Sequence, residues 1–424
     1  MRATSLAAIV SLATAANAAN YTLVKDYSGS SFFDDWDFYG DSNVGVNNTA
    51  WNGSAPFDDL TNGDVFYMGR SNGSSLYSVD SSTGHAFIKV DNTTDVPYPQ
   101  KRDSVSEVSL HVASFVSEFF SQIRIASKDF YNLGSVWVVD VFHLPWGCSV
   151  WPSIWSSGVN WPNNGEIDII EGVNRMTFNQ MALHTSGTCT AANGTDQTGT
   201  AGPSDCSTTA GCTVAETQPN NYGPDFNNNG GGVWATQFDE TGIFIWFWNR
   251  SSIPASISTA TDSIDISSWG APSASWPSGS NCNTTERFGP QQLIIDITLC
   301  GDWAGVPSIY ASTCDSTPQQ TDSANRCYFD NVINNGTTDL ATAYFEIGSI
   351  RTFALNSNNA TTTSSVSAGA TATGGSSGSG SSSSSAPASS NTGGSSSGAG
   401  QLVVSGEIVK FITAFSVFAG LSLL

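Results

Sequence analysis

The runs 86–90, 134–142, 242–248, 292–299 and 343–350 are dense in β-branched and aromatic residues, and clusters of Gly, Asn, Pro and Ser separate them. Runs of this length and composition predict strands closed by turns. Helical periodicity is scarce, and 105–123 has an apolar spacing that suits a helix or a strand equally. Many short strands with turn signals predict an all-β domain, and that pattern is met by a sandwich or by a barrel.

The pattern breaks at both ends. Residues 1–18 combine Arg2, an apolar run from Leu6 to Ala16, and small residues at Ala16 and Ala18, the layout of a signal peptide. From Thr352 to Gly406 there is no charged residue, and Ser, Gly, Thr and Ala dominate. Such a stretch has almost nothing to bury and cannot offset its ordering entropy, so 356–400 is expected to be a flexible stalk. Residues 401–424 close on an apolar tail from Phe411 onward, after the small residues Ser397, Gly398, Ala399 and Gly400. Small residues, a spacer and an apolar tail form the layout of a glycosylphosphatidylinositol-anchor signal, and the tail is short for a membrane span. The expected organisation is a domain over 19–355, exported and tethered at the cell surface by a lipid, with no other membrane contact.

The cysteines agree with export. Cys148, Cys189, Cys206, Cys212, Cys282, Cys300, Cys314 and Cys327 contain no Cys-x-x-Cys pair, so disulfides are expected rather than a metal site. About 105 pairings are open. Sequons beginning at Asn20, Asn47, Asn52, Asn72, Asn92, Asn193, Asn249, Asn283, Asn335 and Asn359 offer glycan sites on an exported chain.

Charge narrows the partner. A formal net charge of −22 argues against nucleic acid, which needs a basic face. Only 12% of residues are charged, while 13 are tryptophan, a composition suited to neutral sugar rings that stack on flat aromatics as well as to a large β core. A monomer is expected.

The segment 165–172 carries Glu166, Asp168 and Glu171 among Ile167, Ile169 and Ile170. In a regular strand residues two apart share a face, so Glu166 and Asp168 point together and Glu171 points away. A β-bulge at Ile169–Ile170 would restore the phase and put all three acids on one face. Crowded carboxyls there would have their pKa values driven apart, the arrangement acid and base chemistry uses. A retaining glycosidase needs two carboxyls about 5–5.5 Å apart, one nucleophile and one acid/base. Solvated acids on an exposed face, or oxygen ligands for Ca²⁺, are the other uses of such a cluster.

Other candidates surround the segment. The stretch ending at His184 alternates like a strand, and an antiparallel hairpin would place His184 across from about 166–168, within reach of Asp168. Trp155 is expected on or beside the preceding strand, where it could stack on a sugar or fill the core, and Trp161 is the other candidate for stacking. Trp161, between Asn160 and Pro162, is expected in a loop at the groove. Trp303 follows a strand and faces a Gly-rich loop, a candidate for a further sugar subsite, and Arg102 could donate to sugar hydroxyls or serve only as a surface charge.

The acids fit Glu-x-Asp-x-x-Glu, and with the segments 31–39, 143–152 and 179–185 the chain resembles glycoside hydrolase family 16, in particular secreted fungal members acting on β-1,3 and mixed-linkage glucans. The resemblance covers nearly all of 19–355. It implies a curved antiparallel β-sandwich, a jelly roll of the concanavalin A-like kind, with retaining hydrolysis of β-glucan and no catalytic cofactor. It also implies Glu166 as nucleophile, Glu171 as general acid/base and Asp168 as the partner that sets the nucleophile's charge. A wall transglycosylase with the same covalent intermediate, and a non-catalytic glucan-binding lectin on the same fold, are the alternatives.

Overall fold

The computed structural model describes residues 20–39, 41, 61–93, 121–192, 196–314, 326–333, 338–355 and 360–362. Two antiparallel sheets dominate them. The first runs in the order Ser263–Asp265, Asn20–Ser28, Tyr344–Ala354, Ser135–His143, Gly232–Asp239, Gly242–Asn249, Ala274–Pro277. The second runs Thr200–Ala201, Cys212–Ala215, Gln180–His184, Glu166–Glu171, Val150–Gly158, Gln291–Leu299, Arg124–Ser127, Trp36–Phe38. All five runs read as strands from the sequence are strands, the fifth extending to Ala354.

The side-chain period of two builds the sandwich. Trp137, Val139 and Val141 of the first sheet join one core with Ile125, Ile154, Ile167, Ile295 and Ile297 of the second. Val136 and Val138, one step out of phase, join a separate cluster with Val233, Ala235, Trp246, Trp269 and Phe353 on the sheet's other face. The helix Ala255–Ser258 contributes Ile257 to that cluster. Burying both faces makes Ser135–His143 a near-continuous apolar run. An all-β sandwich is therefore the architecture, and the barrel reading falls away.

Four disulfides join Cys148 to Cys314, Cys189 to Cys282, Cys206 to Cys212 and Cys300 to Cys327. One expectation needs correction. Ala360–Thr362 was expected to lie in the stalk, but its backbone pairs antiparallel with Asp129–Tyr131, so sheet pairing continues past residue 355. A three-residue edge strand needs only backbone partners, which an uncharged Ala-Thr-Thr run supplies. Trp303, expected after a strand, lies in the short helix Gly301–Ala304 that follows the strand Gln291–Leu299. Residues 1–18, most of 105–123, the rest of the 356–400 stretch and 401–424 lie outside the described residues, as does Arg102. Among the described residues no helix is long and apolar enough to cross a membrane.

Candidate active site

Glycines bracket the acid strand Glu166–Glu171. Gly165 has φ +76°, and a Cβ there would come within 2.2 Å of the Phe288 ring. At Gly172 a Cβ would lie 2.7 Å from Tyr222 Cζ. Backbone and aromatic rings approach too closely at both ends for any side chain.

Between them the predicted bulge is present. Against the strand Val150–Gly158 the register runs Ser157–Glu166, Ser156–Ile167, Trp155–Asp168, then Ile154–Ile170 and Ser153–Glu171. Ile169 has no counterpart in that ladder. The extra residue lets Ile167, Ile169 and Ile170 all bury in the core while Glu171 falls opposite Ser153, on the face that carries Trp155 and Asp168. On the other edge Glu166 pairs with His184 and Asp168 with Ala182. The hairpin expectation for His184 is met.

The side chains converge. His184 Nε2 lies 3.3 Å from Asp168 Oδ2 and 4.0 Å from Glu166 Oε1. Asp168 is almost fully buried. Gly211, in the loop closed by Cys206–Cys212, backs the imidazole so tightly that a Cβ there would be 2.8 Å from His184 Nε2. Trp161 is 38% exposed, and its indole N–H donates to Glu166 Oε2. Trp151 Nε1 donates to Glu171 Oε1 at 2.8 Å and meets Trp303 edge-on. Trp155 is partly buried against the core, and its Nε1 donates to Asp296 Oδ1 at 2.7 Å. Thus Trp161 stands beside the acids, Trp303 reaches the site through Trp151, and Trp155 is tied into the sheet.

Electrostatics follow from this crowding. Burial, then the Asp168 charge, pushes Glu166 up to about 8, against the His184 charge and the Trp161 hydrogen bond. Burial, then Asp168, holds Glu171 well above the ordinary carboxylate range, with the Trp151 hydrogen bond pulling the other way. For His184, burial opposes the charged ring, but the contact with Asp168 and the charges of Glu166, Asp168 and Glu171 outweigh it and lift it to about 10. A cationic imidazole thus sits among three acids, and the protons are shared unevenly. Donor atoms of Glu166, Asp168 and His184 lie within 4.8 Å of one another, close enough to hold a cation.

Sequence reasoning passed over Trp151, Asp296 and Arg124. Trp151 sits four residues before Trp155, the spacing that keeps a strand face, so its place was readable from period two. Asp296 interrupts an apolar strand, an anomaly that marks a buried acid with a partner. Arg124 is buried with its guanidinium 5.1 Å from the Trp155 ring centroid, and nothing near it in the sequence announces that contact.

A profile described as the XgeA-like catalytic domain of glycoside hydrolase family 16 matches residues 51–353. The chain belongs to glycoside hydrolase family 16. Among curated family relatives it is similar to a "probable endo-1,3(4)-beta-glucanase" of Aspergillus fumigatus, 38% identical over 356 residues, 81% of this chain and 47% of that protein. It is 33% identical to the endo-1,3(4)-beta-glucanase xgeA of Emericella nidulans over 345 residues, 80% of this chain and 48% of that protein. The chain spans about half the length of these two relatives. Among solved structures, an elongating family 16 beta-1,3-glucosyltransferase superposes with TM-score 0.63 at 35% identity, covering 78% of this chain and 99% of that one. Laminarinase 16A of Phanerochaete chrysosporium, solved with beta-glucans in donor and acceptor sites, gives TM-score 0.63 at 30% identity, covering 79% and 99%. Family membership and the sandwich therefore agree with what the acid segment implied.

Proposed function

We propose that this domain is a retaining endo-β-glucanase acting on β-1,3 and mixed β-1,3/1,4 glucans. The observation that carries the reading is the bulge, which brings Glu171 to the face of Glu166 and Asp168. Glu166 faces the His184 cation and accepts from Trp161, whereas Glu171 has the Trp151 N–H. Glu166 is thus better supplied to carry negative charge, and Glu171 to keep a proton. In the reaction Glu171 protonates the leaving oxygen while Glu166 attacks the anomeric carbon and forms a glycosyl-enzyme. Glu171, now a base, takes a proton from the water that releases the sugar. Asp168 anchors His184, whose positive charge favours the ionised nucleophile against the opposing charge of Asp168. Trp161 offers the ring on which the substrate stacks.

Support for the substrate class comes from the relatives named as endo-1,3(4)-beta-glucanases and from the laminarinase holding β-glucan in donor and acceptor sites. A second reading, transfer of the glycosyl group to another glucan, is favoured by the likeness to an elongating glucosyltransferase. Incubation with laminarin and with barley β-glucan, followed by chromatography of the products, tests both. Shorter chains with new reducing ends support hydrolysis and longer chains support transfer. Unchanged glucan would leave only a binding protein and sink the enzymatic reading.

The same reading places the domain outside the cell on a lipid anchor. Pairing of all eight cysteines is consistent with an oxidising compartment. Phosphatidylinositol-specific phospholipase should release the protein from intact cells, and retention after treatment would refute the anchor.

A further inference from the structure

Asn179 precedes the strand Gln180–His184 and is fully buried, yet the reaction just described gives it no task. Pairing between that strand and the acid strand ends at Asp168–Ala182. Beyond it the bulged backbone would face this edge with polar groups unmet, at a cost. The Asn179 side chain meets two of them. Its Nδ2 donates to the Ile169 carbonyl at 2.9 Å, and its Oδ1 accepts from the Glu171 N–H at 2.8 Å. A donor to residue 169 and an acceptor from residue 171 is the pattern that the N–H and C=O of one residue in a parallel strand make opposite residue 170. The amide therefore takes the place of a strand where the bulge makes a real one impossible.

Asn179 is itself held. Its N–H donates to Asn221 Oδ1 at 2.6 Å, and its carbonyl accepts from the Glu216 N–H at 2.9 Å. Asn221 in turn donates to the Gln218 carbonyl. A neutral amide is the side-chain group that sets an acceptor and a donor side by side; ionised Asp has only acceptors, and Leu has neither.

We propose that Asn179 is a positioning residue for Glu171: by clamping the bulge at Ile169 and Glu171 it fixes the phase that turns the acid/base carboxyl onto the catalytic face. The proposal rests on the acid/base role assigned to Glu171 above. A displaced acid matters only where the leaving group needs protonation, so the loss should depend on the substrate.

The test compares kcat/KM, which reports glycosylation alone, on laminarin and on 2,4-dinitrophenyl β-laminaribioside, whose leaving group needs little proton. Asn179→Ala should lose about 10- to 100-fold on laminarin and less than about threefold on the aryl glycoside. Glu171→Gln run alongside should show the same split, more steeply. Equal losses of Glu171→Gln on both substrates would overturn the role of Glu171. A split for Glu171→Gln with equal losses for Asn179→Ala would overturn the positioning role and leave Asn179 structural. Should Asn179→Ala fail to melt cooperatively, Asn179→Asp decides. Its protonated carboxyl offers the same acceptor and donor, so its laminarin rate relative to wild type should recover as pH falls. A ratio that stays flat with pH would refute the clamp.

Discussion

In the first sheet the strand Ser135–His143 sends Trp137, Val139 and Val141 toward the sandwich core and Val136 and Val138 to the other face, and both sets are apolar. In the second sheet the strand Glu166–Glu171 buries Ile167, Ile169 and Ile170 in the same core, but its other face carries Glu166, Asp168 and Glu171. Each buried methylene of the first kind contributes roughly 0.8 kcal/mol, whereas each buried carboxyl costs free energy until it is paired or protonated. The first sheet therefore holds the domain together on both faces. In the second the inner face serves stability and the other face carries the acid cluster, with His184, Trp151 and Trp161 as the partners that make the acids tolerable.

The comparison breaks most visibly at Glu166. Glu166→Gln should lower the laminarin rate on the order of 10⁴-fold, as loss of a covalent nucleophile does, while Tm stays level or rises because a buried acid is gone. Wild-type rates on polymer, or a large fall in Tm, would contradict the division of labour between the sheets. Phe353, fully buried in the first sheet's outer cluster, is the converse position. Phe353→Ala should cost about 3–5 kcal/mol by denaturant titration and leave kcat/KM unchanged at temperatures where the domain is folded. A selective loss of kcat at full occupancy of the native state would show that this cluster reaches the site.

Proton linkage sharpens the contrast next. Glu166 is raised from 4.5 to about 8, so between those values the unfolded chain binds fewer protons than the folded one, and stability falls as pH rises. His184 is raised from 6.5 to about 10; its contribution is complete below 6.5 and is lost as pH rises toward 10. Both act in one direction. Tm measured from pH 5 to 9 should decline, and Glu166→Gln should flatten the lower part of the decline. A Tm that climbs over this range would overturn the reading of the acid cluster. The smallest effect expected is at Trp161. Trp161→Phe keeps a ring for the sugar and removes the N–H donated to Glu166, so kcat/KM should fall only about tenfold. A loss as deep as that of Glu166→Gln would make Trp161 more than a supporting contact.

Much of this was legible in the chain. The sheets follow from alternation over runs such as 134–142 and 242–248. The bulge follows from a mismatch of phase, since Glu171 could reach the face of Glu166 in no other simple way. His184 follows from counting back along a hairpin. The remainder was not local. Trp303 turns into a helix because Cys300 and Gly301, both at positive φ, swing the chain out of its strand. Asp296 and Trp155 meet across two strands that lie some 140 residues apart in the chain. Asn179 opens one of the segments that carry the resemblance, but its two bonds to the bulge form only where its own strand has stopped pairing, beyond Ala182.

Residue order thus set the all-β class, the bulged phase of Glu166, Asp168 and Glu171 and the place of His184 across from them, because periodicity and hairpin pairing act over a few neighbouring residues. The disulfide partners, the indole donors to Glu166 and Glu171, the raised pKa values and the Asn179 clamp came from packing. Each depends on which side chains the folded backbone brings together and on how much water reaches them, and the pattern along any single strand does not fix that.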